Sequence, residues 1–250
     1  MYLSVLLHAM QPLSDGGYPY RETDLSQTIA EPWNAISSLL FLIPVVYWAY
    51  KLRGRYHQHW FLSLALPLLF LGGIGSALFH AFRVSPWLLW LDVAPILVLT
   101  MALSVYFWLN VTKRWEYAAG IITVFLIVQY LNSTYIGGHT ATNISYFLRG
   151  TVMFLPAVML MYQSKFRHAP YLLFAIGSFI LALVFRYIDV YVHISWMPMG
   201  THWLWHTATA VGAWLLGEYV YHTDLQFNAR KRIRSQGKIH LKKSKVLVNQ

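Results

Sequence analysis

The sequence predicts an all-α polytopic membrane protein, a bundle of seven transmembrane helices with the amino terminus outside or lumenal and the carboxy terminus cytoplasmic. Three observations carry this. The chain is 57% hydrophobic and only 11% charged, against roughly 25% charged in soluble domains, so it holds more apolar surface than a soluble core could hide. Apolar runs of about 20 residues, the length that crosses a bilayer's hydrocarbon core, recur from Glu31 to Tyr221. Lys and Arg gather in alternate loops, which sets orientation because basic loops stay in the cytoplasm. The expected organisation is an outer segment 1–30, a transmembrane domain 31–222 and a basic tail 223–250.

The elements follow in order. Residues 11–30 are polar, with Asp15, Glu22 and Asp24. Residues 1–10 lack the basic start and cleavage site of a signal peptide, so the first spans are expected to insert themselves. The spans are expected at roughly 31–50, 60–82, 87–109, 115–133, 143–163, 170–190 and 201–222. Breaks fall at Lys51-Leu52-Arg53-Gly54-Arg55, before Pro86, at Lys113-Arg114, at Gly137-Gly138, between Lys165 and Pro170, and at Pro198 with Gly200, all residues that end or start helices. The loops after spans one, three and five hold Lys51/Arg53/Arg55, Lys113/Arg114 and Lys165/Arg167. Those after two, four and six hold almost no basic residue beyond Arg83. There is no internal repeat.

The net charge of +10 comes mainly from the inner loops and the tail. No aromatic platform accompanies it, so the charge reads as a topology signal resting on anionic lipid headgroups and not as a nucleic-acid surface. The absence of cysteine excludes disulfides, thiolate metal sites and thiol nucleophiles. Asn132-Ser133-Thr134 and Asn143-Ile144-Ser145 match the glycosylation acceptor pattern on the expected outer side.

Function is expected at a layer of polar residues inside the membrane. In Gly200-Thr-His-Trp-Leu-Trp-His206, His202 and His206 stand at i and i+4 and share a helix face. Ser76 and His80 repeat that spacing in span two, where Gly72, Gly73 and Gly75 would let a neighbouring helix come close. Asp92 lies about 9 Å into span three at 1.5 Å per residue, and a carboxylate there is expensive enough to suggest a site. Span two runs outward and spans three and seven run inward, so all four polar residues reach the same outer layer. Three histidines match the protein ligands of a catalytic zinc that keeps a position for water, with Asp92 as base or proton shuttle. A structural metal, or polar glue between helices, is the competing reading. Arg186 and Asp189, at i and i+3, are expected to pair with each other, with Asp189 also able to orient a site residue. His57, His59, His139, His193 and His222 read as interfacial.

These pieces together resemble the alkaline ceramidase family, within a seven-span membrane hydrolase superfamily that also includes adiponectin and progestin receptors. The matching segments are Ala30-Glu31-Pro32-Trp33-Asn34, Gly75-Ser76 with Phe79-His80, Leu91-Asp92 with Pro95, Phe185 to Asp189, and His202 to His206. They run in family order over most of the chain from Glu31 to His206. The resemblance implies an intramembrane zinc amidase that cleaves ceramide or a related N-acyl lipid to a sphingoid base and a fatty acid. It assigns zinc to His80, His202 and His206, proton transfer to Asp92 and oxyanion stabilisation to Ser76. It also implies calcium at Glu22, Asp24 and Glu31, at a spacing that differs from the animal members. Val93 stands where the family often has Glu, and Ser38 where it often has Asn after Ser37. The alternative is a receptor-like binding protein that keeps the zinc site and signals on ligand binding. The expected partner is a lipid substrate in the membrane, without nucleic acid or an obligate protein partner.

Overall fold

A computed structural model describes residues 11–248, with side chains through Leu225. Among the described residues every regular element is helical. Helix α1, Pro32–Lys51, is two α-segments joined by a 3-10 turn at Leu39–Phe41. Helix α2, Trp60–Phe82, follows a 3-10 turn at Tyr56–His59; then come α3 (Pro86–Thr112), α4 (Trp115–Tyr135), α5 (Gly138–Gln163), α6 (Ala169–Tyr191) and α7 (His202–Val248). The first six are long and apolar enough to cross a membrane. The basic tail expected from 223 lies outside the described side chains beyond Leu225, although the backbone of α7 continues to Val248.

Helix ends follow local chemistry. Pro86 at the first turn of α3 sacrifices no hydrogen bond that the helix would make, and Ser85 before it accepts the Trp87 N–H at 3.2 Å. The last turn of α2 closes on Arg83 in the left-handed region, the usual way to satisfy terminal carbonyls. Pro32 opens α1, and the Glu22 carboxylate accepts the backbone N–H groups of Trp33 at 2.6 Å and Asn34 at 3.0 Å, which neutralises the positive end of that helix.

The helices form a closed ring in the order α1, α2, α3, α5, α6, α7 and back to α1, with α4 outside it against α3 and α5. Small residues set a close contact between α2 and α3. A Cβ on Gly75 would stand 2.3 Å from the Leu91 carbonyl oxygen, and one on Gly72 would stand 2.5 Å from Ile96, so the expected close approach is realised through bare backbone. The core between helices includes Trp48, Leu62, Phe107, Leu172 and Tyr219. Outward faces carry Ile36, Val46, Trp87, Trp90, Phe147 and Phe174, all exposed. That much continuous apolar surface is stable against lipid and not against water.

Two expectations about individual residues change here. Asn132 is buried and donates to the Ala141 carbonyl at 2.8 Å, while the Asn143 side chain accepts from Arg186 at 3.0 Å; both amides serve packing between helices and are not presented for glycosylation. His59 and His139 are buried, not interfacial. His59 stacks on Tyr221 with Asp224 at 3.6 Å, and His139 packs against Tyr18 and Tyr20.

Candidate metal centre

At one end of the ring, α2 and α7 bring His80, His202 and His206 together. Their ligand nitrogens lie within 4.8 Å of one another, and all three rings are buried. The depth argument from sequence therefore places these residues correctly, because α2 ends where α7 begins. Asp92 and Ser76 line the same cavity. Ser38 donates to Ser76 at 3.0 Å.

Each histidine is held differently. His80 Nδ1 bonds to Glu31 Oε2, and His206 Nδ1 lies 3.0 Å from the Asn34 carbonyl and 2.9 Å from Ser38 Oγ. With Nδ1 turned to a protein acceptor, Nε2 of both rings is left for the centre, the usual arrangement for metal-binding histidine. His202 stacks on Tyr20 with ring centroids 3.7 Å apart, and its Nδ1 is buried without a hydrogen-bond partner. An orphaned imidazole nitrogen in such a place is costly, and a metal ion would satisfy it. Three imidazoles without thiolate suit a first-row transition metal ion, zinc, copper, iron and nickel among them.

Asp189 answers the second of its two expected roles. Its Oδ1 accepts from the backbone N–H groups of Thr201 at 2.7 Å and His202 at 3.0 Å, fixing the first turn of α7. Gly200, at φ +73°, leaves the room: a Cβ there would meet Asp189 Oδ1 at 2.1 Å. Arg186 makes no hydrogen bond to Asp189 among the described contacts; instead Nε donates to Asn143 and Nη1 to Tyr20, and the guanidinium lies over Tyr146 and Trp205.

No protein family, curated protein or solved structure matches this chain. The centre therefore rests on its own geometry.

The acidic residues expected to hold calcium are not brought together as a ligand cluster among the described residues. Glu22 caps α1, and Asp24 is exposed and accepts from Ser26. Glu31 is buried and faces a different cation, the guanidinium of Arg83. Arg83 also bonds Asp15 at 2.6 Å, while Glu31 further accepts from Thr23 at 2.5 Å and Asn34 at 3.1 Å. The guanidinium of Arg83 compensates the burial of the Glu31 carboxylate. Burial pushes the Tyr20 phenol up to about 12, so the ring against His202 stays neutral. A chain of contacts thus runs from Asp15 through Arg83 and Glu31 to His80. Asp15, Arg83 and Tyr20 were not legible as site residues, since nothing in their spacing links them to the histidines. The Glu31-Pro-Trp-Asn segment was the nearest signal.

The cavity continues away from the centre along the ring's interior. It is lined by every ring helix and reaches from His80 to Phe61 on α2, a span of roughly 29 Å at 1.5 Å per residue. Its walls beyond the histidines are mostly apolar, including Phe41, Leu69, Ile96, Leu103, Met153 and Leu216.

Proposed function

We propose that this protein is a membrane-embedded, zinc-dependent amide hydrolase acting on ceramide or a related N-acyl lipid, releasing a fatty acid and the amine. The observation that carries the reading is one cavity in which three buried histidines, Asp92 and Ser76 meet a long apolar channel. An acyl chain needs such a channel: one leaflet accounts for about 15 Å of the ~30 Å hydrocarbon core, and the channel is longer than that. The resemblance of the site's motifs to the alkaline ceramidases supports the amide as the bond attacked.

His80, His202 and His206 would hold the zinc ion, which would supply Lewis-acid polarisation of a carbonyl and lower the hold of a water on its proton. Asp92 takes that proton and returns it to the departing amine, which needs a carboxylate within reach of both. Ser76 donates to the oxygen of the tetrahedral species, and Ser38 holds the Ser76 hydroxyl in place. Glu31 keeps the His80 ring turned with Nε2 inward, and Asp189 fixes the turn that carries His202.

The proposed orientation puts the amino terminus and the histidine end on the outer or lumenal side, supported by the basic loops after α1, α3 and α5. The test of function combines two measurements on the purified full-length chain: metal content by mass spectrometry and fatty-acid release from a panel of N-acyl lipids. One zinc per chain with chelator-sensitive release is expected. Absence of release from every N-acyl lipid tested, with zinc present, removes the enzyme reading.

A further inference from the structure

The amidase reading leaves one charged group in the cavity unused. Arg149 sits 11 residues into α5, roughly 16 Å from its start, in a span where a cation is expensive unless it is paired or functional. It lies on the cavity side: Tyr146 and Met153, its neighbours at i−3 and i+4, line the cavity with it, whereas Phe147 and Leu155 point outward and are exposed. Among the described residues no carboxylate forms a salt bridge with it, and its Nε is buried without a hydrogen-bond partner.

Position relative to the metal ligands is set by two ring contacts. Side chains on a helix lean toward its amino terminus, and the Arg149 guanidinium accordingly lies 5.2 Å from the Tyr146 ring centre, three residues earlier. Tyr146 in turn packs edge-on against Trp205 at 4.7 Å, the residue before His206. The unused cation therefore stands on the cavity wall beyond Tyr146 and Trp205, two rings removed from the histidines, where the polar end of the cavity gives way to its apolar channel. Arg186 touches the same Tyr146 ring but is already engaged by Asn143 and Tyr20.

We infer that Arg149 binds a carboxylate carried by the intact substrate, so that the preferred class is N-acyl amino acids over neutral N-acyl lipids. This rests on the amidase reading and narrows it. A guanidinium pairs a carboxylate through two parallel hydrogen bonds, and the pairing is strong where water is excluded. One free guanidinium matches one negative charge; a phosphate monoester would bring nearly two. An amino-acid carboxylate is part of the head group two bonds from the amide nitrogen, so it enters the same cavity that Arg149 lines. In the reaction the amide C–N bond breaks, water gives its hydroxyl to the acyl carbon and a proton to the nitrogen, and the products are a fatty acid and a free amino acid.

The experiment compares N-palmitoylglycine with N-palmitoylethanolamine on zinc-loaded full-length protein, for wild type, Arg149→Gln and Arg149→Lys. The readout is the ratio of kcat/KM, anionic over neutral, taken within each protein so that a partly unfolded fraction cancels. Wild type should favour the anionic lipid, and Arg149→Gln should lower the ratio roughly 10- to 100-fold, the worth of a charged hydrogen-bonded pair. Arg149→Lys should recover part of it. A wild-type ratio near one, or a ratio unmoved by Arg149→Gln, overturns the inference and leaves amide hydrolysis standing. Calorimetric binding of the two lipids and of palmitate is measured in parallel. If neither lipid is hydrolysed but the anionic one binds more tightly and loses that advantage in Arg149→Gln, the hydrolase reading fails and the carboxylate site survives. If only palmitate binding depends on Arg149, the anion recognised is the product's and the inference is wrong.

Discussion

Removing Arg83 tests how the segment ahead of α1 is tied to the histidine cluster. Arg83 is 3% exposed, and the two carboxylates it bonds, Asp15 and Glu31, are both 0% exposed. Arg83→Met keeps the volume and deletes the charge, leaving two buried carboxylates facing each other without their shared cation. Breaking a buried pair by removing one partner costs about 3–5 kcal/mol. At 2–4 °C per kcal/mol for a chain of this size, the midpoint of thermal unfolding in detergent should fall by roughly 6–20 °C. The same change frees Glu31 to leave His80, and loss of such a supporting carboxylate should weaken metal binding by about 10- to 100-fold. Adding Asp15→Asn to Arg83→Met should restore part of the stability, because one of the two orphaned charges is gone. Light-scattering-free melts followed by tryptophan fluorescence, with zinc counted on each variant, provide both readouts. A drop under about 3 °C together with unchanged zinc affinity would refute the argument. Because the cation facing Glu31 belongs to the chain itself, a calcium-selective chelator should leave wild-type activity unchanged; sensitivity to it, restored by calcium, would show that these acidic residues serve a bound ion after all.

Other expectations are as direct. His80→Ala, His202→Ala and His206→Ala should each lose zinc along with activity, whereas Asp92→Asn should keep zinc and lose ~10²–10⁴-fold in turnover; an Asp92→Asn protein as zinc-poor as His202→Ala would make Asp92 a ligand. Ser76→Ala should keep zinc and lose up to ~10²–10³-fold as a missing oxyanion donor, checked by the same pair of measurements. Gly75→Ala pushes a methyl into the Leu91 carbonyl and should cost about 1–3 kcal/mol, with activity falling further because Leu91 precedes Asp92; unchanged melting and turnover would mean that the α2–α3 approach is looser than described. For orientation, single cysteines at Val84, 73% exposed, and at Arg114, with a 60% exposed side chain, should label from outside and inside respectively. The buried Arg83 would report nothing, and the reverse pattern inverts the topology.

What could be read from the chain was whatever has a short period. Apolar runs, Pro86 at a helix start, and the basic breaks gave helices whose ends fall within a few residues of the structure's for most spans, because those signals act over one or two turns. The start of α5 was misjudged: the structure begins it at Gly138, ahead of the expected 143, since His139, Thr140 and Thr142 look like loop residues until His139 is seen packed beneath Tyr18 and Tyr20. The histidine cluster was also legible, because i and i+4 spacing fixes the face and antiparallel helices fix the depth. Contacts across the sequence carry no such period. Asp15 lies 68 positions from Arg83, and Arg21 lies 168 from Asp189, so the polar shell around the centre is invisible to any local pattern. Glu31 shows the consequence most plainly. As a sequence it offered only a carboxylate beside a membrane span, which the resemblance assigned to calcium; in the fold it is engaged by Arg83 and His80. The residue that closes α2 in a left-handed turn directs its guanidinium inward, and once that cation is fixed beside Asp15, Glu31 has one oxygen committed to it and the other left for His80. The helix cap and the metal ligand's support are thereby set by the same residue, which is why a substitution three positions beyond His80 should be felt at the centre.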